Sequence, residues 1–195
     1  MISYDGKDKE SGRMVYRVKD VSKEGAATLI KLDFEAFDKK GKPTMTSTYT
    51  LRCTGNEMRV DASAMLGEEQ RKSFESFDMK FTSKDIVYPA NLSVGETLPD
   101  GSLHGEGAAG PMNITTDMTM TNRKVVGKES VTVPAGTFEA YKITSDMNVN
   151  TKTVMNMGFE FETVSYRTNN VLWDIKSETY RKGKLVGKTV LSKIL

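Results

Sequence analysis

An all-β, mainly antiparallel fold is predicted by three features of the chain. Short runs rich in Val, Ile, Thr and aromatic residues alternate apolar with polar side chains, the period-2 mark of a half-buried strand. Charged, Gly-containing turns separate these runs, with few segments of helical period between them. Residues Gly127–Ile143, GKESVTVPAGTFEAYKI, then place Val131 and Val133 before a Pro134-Ala135-Gly136 breaker and Phe138, Tyr141 and Ile143 after it, which reads as an antiparallel hairpin. Hydrophobic residues make up only 37% of the 195, which suits a thin sheet-based core better than a thick helical one. The expected architecture is one β-rich domain over residues 1–195, a curved half-barrel with a short helix over its concave face.

The elements follow in order. Met1-Ile2-Ser3-Tyr4-Asp5 enters directly as strand. Arg13–Asp20 carries Met14, Tyr16 and Val18 on one face. In Ala27–Phe37, ATLIKLDFEAF, the clean apolar face is Ile30, Leu32, Phe34 and Ala36. Asp38–Lys42 turns the chain and Thr44–Cys53 returns it. Asp61–Phe77 is the one plausible helix, with Asp61 or Ser63 as N-cap and Leu66, Phe74 and Phe77 on one stripe, weakened by Gly67. Pro89–Gly110 has two prolines and five glycines and reads as a long, mobile connection. From Met147 to Phe161 the odd positions are largely apolar and the even ones largely polar, a two-sided strand with a bend, bulge or turn at Gly158. Ile114, Met118 and Met120 make a similar face before it. Turns at Tyr4–Lys7, Phe37–Lys42 and Tyr180–Lys184 each place an aromatic before charged residues and Gly, through convergent hairpin chemistry or internal duplication.

Composition narrows function. With 28 basic against 26 acidic residues and no basic stripe, nothing points to nucleic acid. No apolar run is long enough for a transmembrane helix. The single Cys53 allows no internal disulfide. A cytoplasmic protein and an exported one with its leader removed fit the composition equally. Gly105–Gly110 has GxGxxG spacing, but Pro111 and a β-type run follow where a dinucleotide site needs a helix. His104 is the only histidine, sits in the Gly-rich stretch, and has no GxSxG to serve. One His and one Cys leave no zinc-type ligand set, and the acids around Asp5 lack EF-hand spacing. No catalytic residue, metal site or cofactor is expected.

Methionine is the unusual component: six of the 12 fall between Met112 and Met157. Thioethers suit surfaces that accept irregular apolar partners, and they equally fill gaps in a curved core.

VTVPAGTFEAYKI resembles a signature of secreted, poorly characterised β-rich proteins of Gram-negative bacteria. Tyr88–Asp100, Asn122–Val125 and Ile175–Tyr180 with Gly183-Lys184-Leu185 are similar to further pieces of that family. The chain departs from it at Thr168–Trp173, where the family is Gly-rich. The resemblance implies an antiparallel half-barrel akin to LolA/LolB-like lipoprotein carriers. It also implies export to the periplasm or beyond, and it brings no catalytic residue. The expected function is therefore non-enzymatic: binding an apolar or lipid-like ligand in the concavity. Met118, Met120, Met147, Met155, Met157, Phe159 and Phe161 would line it, with Leu66 and Phe74 as the lid. The alternative is an interaction module with a filled core that binds an envelope protein or a polysaccharide.

Overall fold

The computed structural model describes residues 1–65, 78–109, 112–153 and 155–194. Among them, thirteen strands form one sheet in which every paired neighbour is antiparallel. In chain order they are β1 (Ile2–Asp5), β2 (Glu10–Glu24), β3 (Ala27–Asp38), β4 (Pro43–Cys53), β5 (Glu57–Val60), β6 (Lys80–Lys84), β7 (Ile86–Pro89), β8 (Gly101–Ala109), β9 (Met112–Val133), β10 (Gly136–Lys152), β11 (Asn156–Arg167), β12 (Lys176–Arg181) and β13 (Lys184–Val190).

The spatial order is β6-β8-β9-β10-β11-β12-β13-β1-β2-β3-β4-β5-β7. Its outermost strands, β6 and β7, are consecutive in sequence and separated only by Asp85. Phe81 on β6 pairs with Gly105 on β8, and Ile86 on β7 pairs with Val60 on β5. One segment, residues 80–89, therefore joins both edges, and the expected half-barrel curls on into a nearly closed barrel. This leaves little unpaired edge for another strand to join.

Closure depends on two glycines of β8. A Cβ on Gly101 would lie 2.8 Å from Ile86 Cγ1, and one on Gly105 would lie 2.5 Å from the Phe81 ring. The missing side chains let the closing segment sit against β8. Gly101→Val is expected to cost about 1–3 kcal/mol by overpacking, read as a lower urea midpoint with an unchanged m-value. A variant as stable as wild type would mean that Ile86 moves aside freely.

The inner face holds the main core. Leu32, Phe34, Tyr49, Leu51, Val60, Ile86 and Leu103 are buried together, joined by Met14, Tyr16, Phe81, Met118 and Met120. Ile30, Leu32, Phe34 and Ala36 point inward, as the alternation in β3 predicts. Val18 pairs with Leu32 just before a bulge at Lys19, yet it is 55% exposed. A second cluster lies around Val131, Val133, Ala140, Tyr166, Ile175, Val190 and Leu191, where the β9–β10 hairpin meets the β11–β12 and C-terminal segments. That hairpin is the one predicted, with Val133 paired to Gly136 across Pro134-Ala135.

The turns share less than the sequence suggests. Asp5 Oδ1 accepts from the Lys7 and Lys9 amides, and Asp38 Oδ1 accepts in the same way from Lys40 and Lys42. The third turn has no such aspartate: Lys182 (φ 51°) and Gly183 (φ 70°) form a two-residue hairpin in the left-handed region.

Three expectations change. Gly101–Ala109 is strand rather than connection, because its glycines meet packing needs at the closure. The remaining stretch, residues 90–100, is tied down: Gly95 N donates to Val125 O, Leu98 N to Arg123 O, and Leu92 and Leu98 are buried against Val125 and Ile143. The Met147–Phe161 pattern is two strands of a hairpin, with Thr151 paired to Met157 and Lys152 to Asn156, and not one strand turning at Gly158. Odd residues pair with odd ones here, so the alternation runs through the turn unbroken. Of the predicted helix, the described part is a single 3-10 turn, Ala62–Met65, lying against β4, β6 and β8; residues 66–77, with Leu66 and Phe74, lie outside the described residues.

Candidate functional site

The site begins with a bulge. Thr121 pairs with Asp146 and Lys124 with Thr144, so Asn122 and Arg123 together oppose Ser145. Asn122 takes the left-handed φ of 52°, which Asn tolerates better than most residues, and its Nδ2 donates to Asp146 Oδ2 at 2.7 Å. The extra residue reverses the alternation of β9. Met118 and Met120 face inward before it, and Arg123 and Val125 face inward after it.

Arg123 is 1% exposed. Its Nη1 donates to the carbonyls of Val87 (3.0 Å) and Pro99 (2.5 Å), which ties β9 to the closing strand and to the 90–100 connection. Its Nη2 is buried and meets no acceptor among the described residues.

A second arginine approaches from β11. Arg167 Nη1 donates to Asp174 at 2.8 Å and its Nη2 to Leu172 O at 2.8 Å, so the connection after β11 folds back over its own strand. The side chains of Arg167 and Asp174 are 9% and 17% exposed. Both guanidinium groups lie over the Tyr88 ring, with Arg167 Cζ 4.0 Å and Arg123 Cζ 4.8 Å from its centroid. Such cation–π contacts strengthen as water is removed. Burial pushes the Tyr88 hydroxyl up, reinforced by Asp174 and opposed by the two arginines. Burial likewise lifts the Asp174 carboxyl above the ordinary aspartate value, against the pull of Arg167.

Tyr88, Arg167 and Asp174 form one end of a cavity of about 290 Å³ lined also by Tyr49, Val60, Ile86, Met120 and Trp173, whereas Arg123 is not part of its wall. Trp173 stacks into the aromatic wall, 5.0 Å from Tyr16 and 6.0 Å from Tyr49. The cavity is thus apolar along most of its wall and charged at one end.

The sequence-predicted lining shares one face, but the structure spreads it over three environments. Cross-strand pairs Met118↔Val149↔Phe159 and Met120↔Met147↔Phe161 place those side chains in adjacent rows. Met118, Met120 and Met147 meet Leu103 and Ile86 around a space of only about 10 Å³, so they pack against one another. Phe159 and Phe161, with centroids 6.5 Å apart, border a wide groove of about 860 Å³ that is otherwise mostly polar. Met155 and Met157 stand at the hairpin end, 71% and 50% exposed. Of the described members of the set, Met120 alone lines the charged cavity. Arg123, Arg167, Tyr88, Trp173 and Asp174 are additions that the structure brings together.

His104 occupies a strand position on β8, not a loop. Its Nδ1 lies 2.6 Å from Asp117 Oδ1, and Glu106 is 3.9 Å from its Nε2. The paired row across the sheet is Thr82, His104, Asp117, Asn150 and Gly158, which holds no serine or cysteine. The hydrogen bond to Asp117 raises the imidazole above its ordinary pKa, and the Asp117 and Glu106 charges add to this. The pair's stabilisation is therefore complete below the unfolded value of ~6.5 and is lost as pH rises through the raised folded value. The melting-temperature gap between wild type and His104→Gln is expected to be widest below the unfolded value of ~6.5 and to close as pH rises through the raised folded value. A gap that does not depend on pH would show that the ion pair contributes nothing. Among the described residues no group of three or more His, Cys, Asp or Glu could hold a metal ion.

A family model described as DUF3108-like matches residues 1–191. No curated protein matches the chain. Two solved structures share the fold. One is a candidate exported protein with a YmcC-like fold from Bacteroides fragilis, 20% identical, with a TM-score of 0.73 over 100% of this chain and 92% of that one. The other is a candidate lipoprotein from Parabacteroides distasonis, 22% identical, with a TM-score of 0.74 over 98% of this chain and 91% of that one.

Proposed function

The chain belongs to the DUF3108-like family, and we propose that it is a non-enzymatic protein of the cell envelope or secreted space that binds an apolar or amphiphilic ligand inside its barrel. The observation that carries this is the cavity between Trp173 and Tyr88: about 290 Å³ bounded by Tyr49, Val60, Ile86 and Met120. A well-packed interior leaves few voids larger than a water molecule. An apolar space of this size with a few convergent polar groups is the usual form of a small-molecule site. The envelope setting is supported by the exported-protein and lipoprotein descriptions of the two structural relatives. The ligand region moves accordingly, from the methionine rows to the cavity beside them.

Native mass spectrometry of protein purified without detergent is expected to show a bound apolar species that solvent extraction removes. A bare mass that stays bare after incubation with a mixed fatty-acid and phospholipid extract would overturn the reading.

One observation favours a second reading, an interaction module for an envelope protein or polysaccharide. Met155, Met157 and Phe159 are exposed together near the end of the β10–β11 hairpin. Apolar side chains gathered on a surface mark contact sites more often than scattered ones do. Capture of one reproducible partner, lost in a Met155→Ser/Met157→Ser double variant, would support that role.

A further inference from the structure

The charged end of the cavity is not neutral. Arg167 and Asp174 stand on its wall, and Arg123 lies beside Tyr88, whose ring both guanidinium groups overlie. Among the described residues, two cations near one carboxylate leave a single positive charge in excess. Arg123 does not line the cavity; its charge reaches this end from beside Tyr88. An excess buried charge is costly, and an anion brought to this end would offset it. Guanidinium groups match planar oxyanions with paired, charge-assisted hydrogen bonds. One excess charge suits a monoanion such as a carboxylate. A phosphate monoester would bring about 1.5–2 negative charges and more bulk. The opposite walls, Val60, Ile86 and Met120, suit an alkyl or aromatic body. The volume, about 290 Å³, stands at the small end of the ~300–1,000 Å³ typical of ligand sites, too small for a phospholipid.

We infer that the cavity is a site for a small amphiphilic carboxylate, its head toward Arg167 and its apolar body against Val60, Ile86 and Met120. This rests on the interior-binding reading above and adds the chemistry of the ligand's head.

Trp173 lines the cavity and is the chain's one tryptophan, so its fluorescence reports on the site directly. The test titrates the intact protein with sodium octanoate, 1-octanol and octylammonium, three heads on one chain length. Octanoate is expected to shift Trp173 emission saturably, with octanol and octylammonium roughly ten-fold weaker or more. Val60→Phe, which fills the apolar wall, is expected to weaken octanoate by a similar factor while its circular dichroism stays that of wild type. Equal affinity for octanoate and octanol overturns the head-group inference and leaves interior binding standing. Octylammonium binding as tightly as octanoate overturns it as well, by making Asp174 the dominant group. No response to any of the three overturns both readings. A folded Val60→Phe protein with unchanged octanoate affinity overturns the assignment to this cavity.

Discussion

Arg123→Ala lowers the stability of the folded chain by on the order of 3 kcal/mol, measured by urea unfolding with the m-value as a check on two-state behaviour. Three losses add up. The carbonyls of Val87 and Pro99 lose their donor, and each buried acceptor left unpaired costs about 1–3 kcal/mol. The side chain is 1% exposed, so its removal leaves a void. Its contact with the Tyr88 ring also goes. One effect opposes these: a buried guanidinium without a matched carboxylate is itself expensive, and its removal ends that cost. We expect the losses to win, because two carbonyls lose their donor at once and the connection's backbone bonds to Arg123 and Val125 do not replace it. Arg123→Met separates the contributions. It restores most of the volume and none of the hydrogen bonds, so it is expected to recover about 1–2 kcal/mol of the loss. An Arg123→Ala protein within about 1 kcal/mol of wild type would mean that water reaches both carbonyls and that Arg123 does not hold the barrel shut.

The same residue shows where sequence patterning stops. In β3 the inward face, Ile30 to Ala36, was legible because one face of a regular strand is buried and the other solvated, which forces the period of two. The Val131–Ile143 hairpin was legible because Pro134 and Gly136 punctuate it. Arg123 was not, since its inward position depends on one left-handed residue, Asn122, that shifts the parity of β9. A bulge of this kind has no signature in an alternation count. Gly101 and Gly105 misled in the opposite direction. They resemble loop composition, yet they sit in a strand because Ile86 and Phe81 from the closing segment need the room. Trp173 and Asp174 lie in the connection after β11, and their roles come from its folding inward, which periodicity does not describe. The methionine rows share one face, but which of them borders free space depends on packing. Met118 and Met147 fill theirs, whereas Met120 borders the cavity.

Asp174 gives the second large effect, and its two obvious variants should part company. Asp174→Ala leaves the Arg167 guanidinium, 9% exposed, without the acceptor 2.8 Å away. Breaking a buried pair from one side costs about 3–5 kcal/mol. Asp174→Asn keeps an oxygen where Arg167 Nη1 needs one and gives up only the charge. That charge is not well tolerated: burial holds the carboxyl above its ordinary pKa, so the folded chain keeps this proton to higher pH than the unfolded chain does. Where folded protein binds the extra proton, stability falls as pH rises. The fall spans the window from the ordinary aspartate value of ~3.9 up to the raised folded value, and its full cost persists above it. Asp174→Asn removes that slope. Relative to wild type it should therefore gain stability as pH rises through the window, and above it stay within about 1 kcal/mol of wild type or exceed it. Paired urea titrations of the three proteins across the acid range decide the matter. If Asp174→Asn is as damaging as Asp174→Ala above the window, the Arg167 interaction depends on the full carboxylate charge and the raised pKa is refuted. If both variants match wild type, the connection carrying Trp173 and Asp174 is not held by this pair, and the charged end of the cavity loses its fixed geometry.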